Sequence, residues 1–163
     1  MKNATSGSIA IMTDSIKAAQ TSSHYSIGDM LFNSTGNPYA HGILRGGTDG
    51  PNYHAKNFRE YIEKMGGIEN SALIVDCNHA NSRKNPFKQI EVIETLYRDI
   101  LPSFDRREVD VRNLIKGFMV ESYLFDGRQD WSDNVQKGLS LTDACIGKEK
   151  TEELIMKLYE NIK

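Results

Sequence analysis

The sequence predicts an α/β fold built on a parallel sheet, and two kinds of segment predict it. Three short apolar runs each end in a charged or metal-capable residue followed by loop formers: residues 42–47 (GILRGG), 72–79 (ALIVDCNH) and 116–122 (KGFMVES). Runs of this length and character read as strands buried on both faces. Helical periodicities lie between and after them. Strands that alternate with helices imply βαβ units and right-handed crossovers.

Taken in chain order, residues 9–20 form the first, weakest helix candidate. Residues 24–28 (HYSIG) and 30–33 (MLFN), separated only by Asp29, look like an antiparallel hairpin placed ahead of the first parallel strand. Residues 53–65 read as a helix stopped by Gly66-Gly67. The clearest helix takes Asn85 as N-cap and Pro86 as its first residue, sets Phe87, Ile90, Ile93, Tyr97 and Ile100 on one face, and ends at Pro102. Residues 126–138 are polar, with Trp131 and Val135 as the large apolar exceptions, and read as a long functional loop. A last helix spaces Leu154, Leu158 and Ile162 four apart, with Ile155 and Tyr159 beside them. No internal repeat or domain boundary interrupts the 163 residues. That length gives one domain with a real core, and it falls short of the roughly 250 residues of a complete eight-stranded barrel.

Charge and composition narrow the function classes. With 20 basic and 22 acidic residues spread along the chain and a net charge of −2, there is no basic stripe for a nucleic-acid backbone. No apolar run reaches the roughly 18 residues a membrane span requires, and the N-terminus lacks a leader pattern, so a cytoplasmic protein is expected. Cys77 and Cys145 are too far apart for a CxxC site and read as reduced, buried thiols. Cys77 precedes His79 by two residues and points the same way if the pleat continues, but it is read as core.

Chemistry in α/β barrels collects at C-terminal strand ends and the loops after them. His79 and Glu121 stand at two such ends and Asp143 in a loop after the last strand, so the three side chains are candidates to converge above the sheet. One imidazole with two carboxylates suits a divalent manganese, iron, cobalt or zinc ion. On spacing alone, a satisfied structural histidine and ordinary salt-bridging carboxylates explain the same residues. Arg45, followed by Gly46-Gly47, offers a guanidinium and an open backbone to an anion, or else a surface salt bridge. Lys2 by itself is a terminal lysine.

Several collinear segments resemble type I 3-deoxy-D-arabino-heptulosonate-7-phosphate (DAHP) synthases: residues 43–47 (ILRGG) with 51–53 (PNY), 76–84 (DCNHANSRK), 117–123 (GFMVESY) with 124–129 (LFDGRQ), 140–147 (SLTDACIG), and the turn at 33–37 (NSTGN). Residues 2–5 (KNAT) are similar to the family's KNGT run at the end of barrel strand five. The resemblance implies that residues 1–163 form a single partial-barrel domain. It would be the C-terminal half of a (β/α)8 TIM barrel, from the end of strand five to strand eight, with a hairpin inserted at about 24–33. It implies that His79, Glu121 and Asp143 match three metal ligands and that Lys2 and Arg45 match residues holding the phosphate of phosphoenolpyruvate. The implied reaction is condensation of phosphoenolpyruvate with erythrose 4-phosphate at the start of the shikimate pathway. Lys2, Arg45 and His79 are then its catalytic candidates.

Strands one to five of the family, with a cysteine ligand and several basic residues, have no counterpart in these motifs. The expectation is a chain that needs a complementary N-terminal half or a second copy, and that is inactive or nearly so alone. The alternative is a non-catalytic half barrel, binding phosphate or effector, or an inert truncation product. In the family the hairpin helps to form an aromatic amino-acid feedback site, and here it is shortened.

Overall fold

The computed structural model describes residues 6–66, 71–104 and 111–162. Its centre is a three-stranded parallel sheet, β3 (Gly42–Leu44), β4 (Leu73–Asp76) and β5 (Ile115–Met119), with β4 in the middle. The three apolar runs of the sequence therefore pair as expected. Alternation decides what each strand buries: Leu44, Leu73, Val75 and Cys77 are wholly enclosed. Ile43, Ile74 and Gly117 share one register row on the opposite face and are only partly covered.

Helices close the buried face. α1 (Ile9–Gln20) starts at Ser8, whose side chain accepts from the Ile11 amide, the usual N-cap bond. It approaches β3 so closely that a Cβ on Gly42 would stand 2.8 Å from the Met12 sulfur. α2 (Ala55–Met65) buries Phe58 and Tyr61 and ends at Gly66, which is left-handed at φ 79°, as the Gly66 stop signal anticipates. Lys17 of α1 donates to the Lys64 carbonyl at 2.5 Å, tying α1 to the C-terminal turn of α2.

The third helix departs from its sequence pattern. Regular α-helix, α3, runs from Lys88 to Thr95, two residues later than the Asn85 cap implies. Asn85 accepts from the Phe87 amide in a turn before the helix. A π-helical stretch, Leu96–Ile100, and a 3-10 turn, Leu101–Ser103, follow. The inward residues are Gln89, Val92, Ile93 and Leu96, while Phe87 is exposed. The expected face thus holds at Ile93, which is buried, and at Ile90, Tyr97 and Ile100, which are partly buried against the core, and fails at Phe87. A buried glutamine occupies one of the inward positions, which no apolar count could register.

A short helix, α4 (Val111–Leu114), leads into β5, and the long stretch after β5 is held by isolated bridges such as Gly127 with Cys145. α5 (Lys148–Ile162) packs through Leu154 and in part Leu158, with Ile155 and Tyr159 exposed. The side chain of Ile162 lies outside the described residues. Among the described residues, no helix is long and apolar enough to cross a membrane.

The expected hairpin is present as β1 (Ser23–Ile27) and β2 (Met30–Ser34), antiparallel through Ile27 and Met30. Gly28, at φ +60°, takes the first position of its two-residue turn, which favours glycine. All but Ser34 of its strand residues are exposed.

Asp126 fastens α5 to the loop. Its carboxylate accepts from the Gly147 amide at 2.6 Å and from Lys150 at 2.5 Å. Those bonds, Lys150 first, hold its pKa below the ordinary carboxylate range. A depressed folded-state pKa means stability that is present above the unfolded value of about 3.9 and lost as pH falls through the folded one. Asp126→Asn should therefore lower the melting temperature at pH 7. The gap to the wild type should close in acid below pH 4, as thermal melts across pH 2–7 would record.

Candidate metal and anion site

β4 ends at Asp76, and the chain then turns instead of continuing its pleat. His79 sits at φ 47°, in the left-handed region, so the alternation that would align it with Cys77 does not reach it. Cys77 instead points into the core, its thiol donating to the Val75 carbonyl. Burial, aided by the nearby Asp76 carboxylate, pushes that thiol far above its usual pKa. It is a core thiol, as the sequence reading has it, and the left-handed turn at His79 interrupts the pleat that would have aligned the two.

His79 is held by Asp76, whose role the sequence reading missed. The Asp76 carboxylate is buried and accepts from His79 Nδ1 at 2.7 Å. Its other oxygen accepts from the Asn78 amide at 2.9 Å. A carboxylate at Nδ1 fixes the hydrogen there and leaves Nε2 as the ring's free donor atom. Nε2 stands 3.8 Å from the Asp143 carboxylate. The available signal was an aspartate three residues before a strand-end histidine, a spacing that a tight turn brings into contact.

Glu121 lies two residues beyond β5, and one donor atom from each of His79, Glu121 and Asp143 falls within 4.8 Å of the others. Ligands each about 2.1 Å from a common ion stand roughly 3 to 4 Å apart. The His79–Asp143 spacing already fits, and a small side-chain adjustment brings in the widest pair. The donor set also suits a divalent ion: one neutral nitrogen and two carboxylates.

Two further networks lock the strand ends together. Asn81 donates to the carbonyls of both Leu44 and Asp76 and accepts from the Asn52 amide at 2.9 Å. Asn52 in turn accepts from the Gly46 amide at 2.7 Å and donates to the Gly7 carbonyl. The Ala80 amide donates to the Arg45 carbonyl. Gly46 is left-handed at φ +72°, and a Cβ there would meet Ala80 at 2.7 Å. Arg45 is thus seated at the C-terminal end of β3, next to the loop that carries His79. Among the described residues its guanidinium has no carboxylate partner, and it is partly exposed. Lys2 lies outside the described residues.

Because both oxygens of Asp76 accept from N–H donors, Asp76→Asn must lose one bond whichever way the amide turns. Such partners of metal-ligating histidines are each worth about 10- to 100-fold in metal affinity. Calorimetric titration with Mn2+ should show a loss of that size for this variant.

The DAHP synthetase I family model matches residues 1–156. The chain is 38% identical to phospho-2-dehydro-3-deoxyheptonate aldolase of Haemophilus influenzae, over 99% of its own length and 44% of the relative's. It is 30% identical to the phenylalanine-inhibited enzyme of that name from Saccharomyces cerevisiae, covering 99% of the chain and 46% of the relative. The solved structure of the Francisella tularensis aldolase superposes with a TM-score of 0.81 at 33% identity, over 98% of this chain and 46% of that one. The chain therefore spans less than half the length of these relatives.

Proposed function

The chain belongs to the DAHP synthetase I family, and on that premise we propose that it supplies the metal-binding and part of the phosphate-binding machinery for condensing phosphoenolpyruvate with erythrose 4-phosphate. The observation that carries the proposal is the convergence of His79, Glu121 and Asp143 within 4.8 Å, with His79 oriented by Asp76.

A divalent ion bound there supplies Lewis acidity toward the aldehyde of erythrose 4-phosphate. The chain's own residues bind and orient. Arg45 holds the phosphate of phosphoenolpyruvate in bidentate fashion, and Lys2 adds a second cation to it. With the phosphate fixed, carbon 3 of phosphoenolpyruvate is presented to the aldehyde carbon, and a carbon–carbon bond forms. Water adds at carbon 2, the C–O bond to the phosphate breaks, and inorganic phosphate and DAHP leave. Arg45 and Lys2 offset the charge of the departing phosphate.

The fold is that of the C-terminal half of a (β/α)8 barrel, its hairpin β1–β2 an insertion, and it works with a complementary N-terminal half. Three features support this reading. β3 and β5 are open edges of the parallel sheet, a situation such sheets normally avoid. The row Ile43, Ile74 and Gly117 lacks full cover. Met119, Tyr123, Leu124 and Phe125, at and after the end of β5, are each exposed, apolar side chains that an interface would cover.

The test is a phosphoenolpyruvate-consumption assay with Mn2+ and erythrose 4-phosphate, run with and without a separately expressed N-terminal half of a family enzyme. Turnover is expected only in the mixture, accompanied by a complex on size-exclusion chromatography. No turnover and no complex in the mixture would favour an inert half barrel.

A further inference from the structure

Resting on the metal-site reading above, we infer that Gln89 is a positioning residue for Glu121: its side-chain amide clamps the Glu121 backbone and thereby aims the Glu121 carboxylate at His79 and Asp143. Gln89 has no exposed surface. Its Oε1 accepts from the Glu121 amide at 2.8 Å, and its Nε2 donates to the Glu121 carbonyl at 3.1 Å. Both polar groups of one peptide unit's residue are thus engaged by a single side chain 32 positions away. Nε2 also donates to the Pro86 carbonyl at 3.1 Å, in the turn just before α3.

The chemistry explains why a glutamine serves here. Glu121 lies beyond the part of β5 that pairs with β4, where β4 no longer supplies partners to its backbone. A primary amide offers one acceptor and one donor side by side, the pattern a strand neighbour would present. On the far side the Ile146 amide donates to the same Glu121 carbonyl at 3.0 Å, in the segment that follows Asp143. Glu121 is therefore fixed between the first turn of α3 and the loop carrying the third candidate ligand. Replacing Gln89 by an apolar side chain of its size removes the partners of the Glu121 amide and carbonyl and costs stability whatever its role; a loss of metal affinity that depends on the Glu121 carboxylate is the mark of a residue that aims a ligand.

The test is a double-mutant cycle on the full 163-residue chain read by Mn2+ affinity, using Gln89→Met, Glu121→Gln and the double variant. Gln89→Met keeps the volume and removes both bonds. It should weaken Mn2+ binding about 10- to 100-fold, while in the Glu121→Gln background the same change should have an effect of less than about twofold, since there is no carboxylate left to aim. Val92→Ala, a cavity in the same helix, controls for lost stability and should leave the affinity within about twofold. If Gln89→Met does not fold by circular dichroism, Gln89→Glu takes its place. That variant keeps the acceptor and, protonated where it is buried against two carbonyls, can donate to only one of them, so it should give a smaller loss with the same dependence on Glu121. Equal loss in both backgrounds, or no loss in either, overturns the role of Gln89 alone. Failure of the unmodified chain to bind Mn2+ overturns the site and the inference together.

Discussion

His79→Ala should abolish Mn2+ binding and lower the turnover of the complemented enzyme by at least about a thousandfold. A metal acting as a Lewis acid contributes several kcal/mol to transition-state stabilisation, and each 1.4 kcal/mol is about tenfold in rate. The substitution removes the one nitrogen ligand of the group and leaves the Asp76 carboxylate buried without its imidazole partner. The two carboxylates that remain, Glu121 and Asp143, would hold an ion only weakly without it. Stability should fall far less than activity, because His79 is partly exposed and stands outside the core cluster. Equal Mn2+ affinities in wild type and variant would remove His79 from the site.

The second large effect is expected at Arg45. Arg45→Ala should raise the KM for phosphoenolpyruvate in the complemented enzyme by about a hundredfold, with metal affinity unchanged. A charged, hydrogen-bonded pair truncated on one side typically costs about 2–5 kcal/mol. Arg45→Lys should recover only part of this, since an ammonium meets a phosphate as a point charge and cannot make two parallel bonds. A variant that lost metal and phosphate binding together would instead indicate a collapsed β3 end. Asn81 and Asn52 join that end to the histidine loop, so the Mn2+ titration is the control.

The strands were legible because their signal is local. An apolar run buried on both faces needs only its own residues to be recognised, and residues 42–47, 72–79 and 116–122 contain β3, β4 and all of β5 but Ile115. α1 and the glycine stop of α2 were legible for the same reason. The third helix was legible only in part: Ile90, Ile93, Tyr97 and Ile100 face inward as expected, but its start and its polar inward position are set by what α3 meets in space. Gln89 faces inward to hold the Glu121 backbone, and the π-helical stretch at Leu96–Ile100 shifts the phase of every residue after it. α4 is four residues long, too short for periodicity to register.

The site divides along the same line. His79, Glu121 and Arg45 carry residue types that draw notice at strand ends. Asp143 lies in an irregular loop, and only family resemblance singled it out with any force. Asp76 and Gln89 act on other residues and never on a ligand. Neither was singled out from the sequence, Asp76 lying within an apolar run and Gln89 within a helical one. Their roles depend on the left-handed turn at His79 and on the approach of α3 to the end of β5, which are tertiary facts.

The most direct measurement is anomalous diffraction at the manganese edge from crystals of the chain grown or soaked with Mn2+. One peak is expected, about 2.1 to 2.2 Å from His79 Nε2 and from a carboxylate oxygen of each of Glu121 and Asp143, with Asp76 still bonded to Nδ1. A peak elsewhere, or none while those three side chains turn away from one another, would contradict the account.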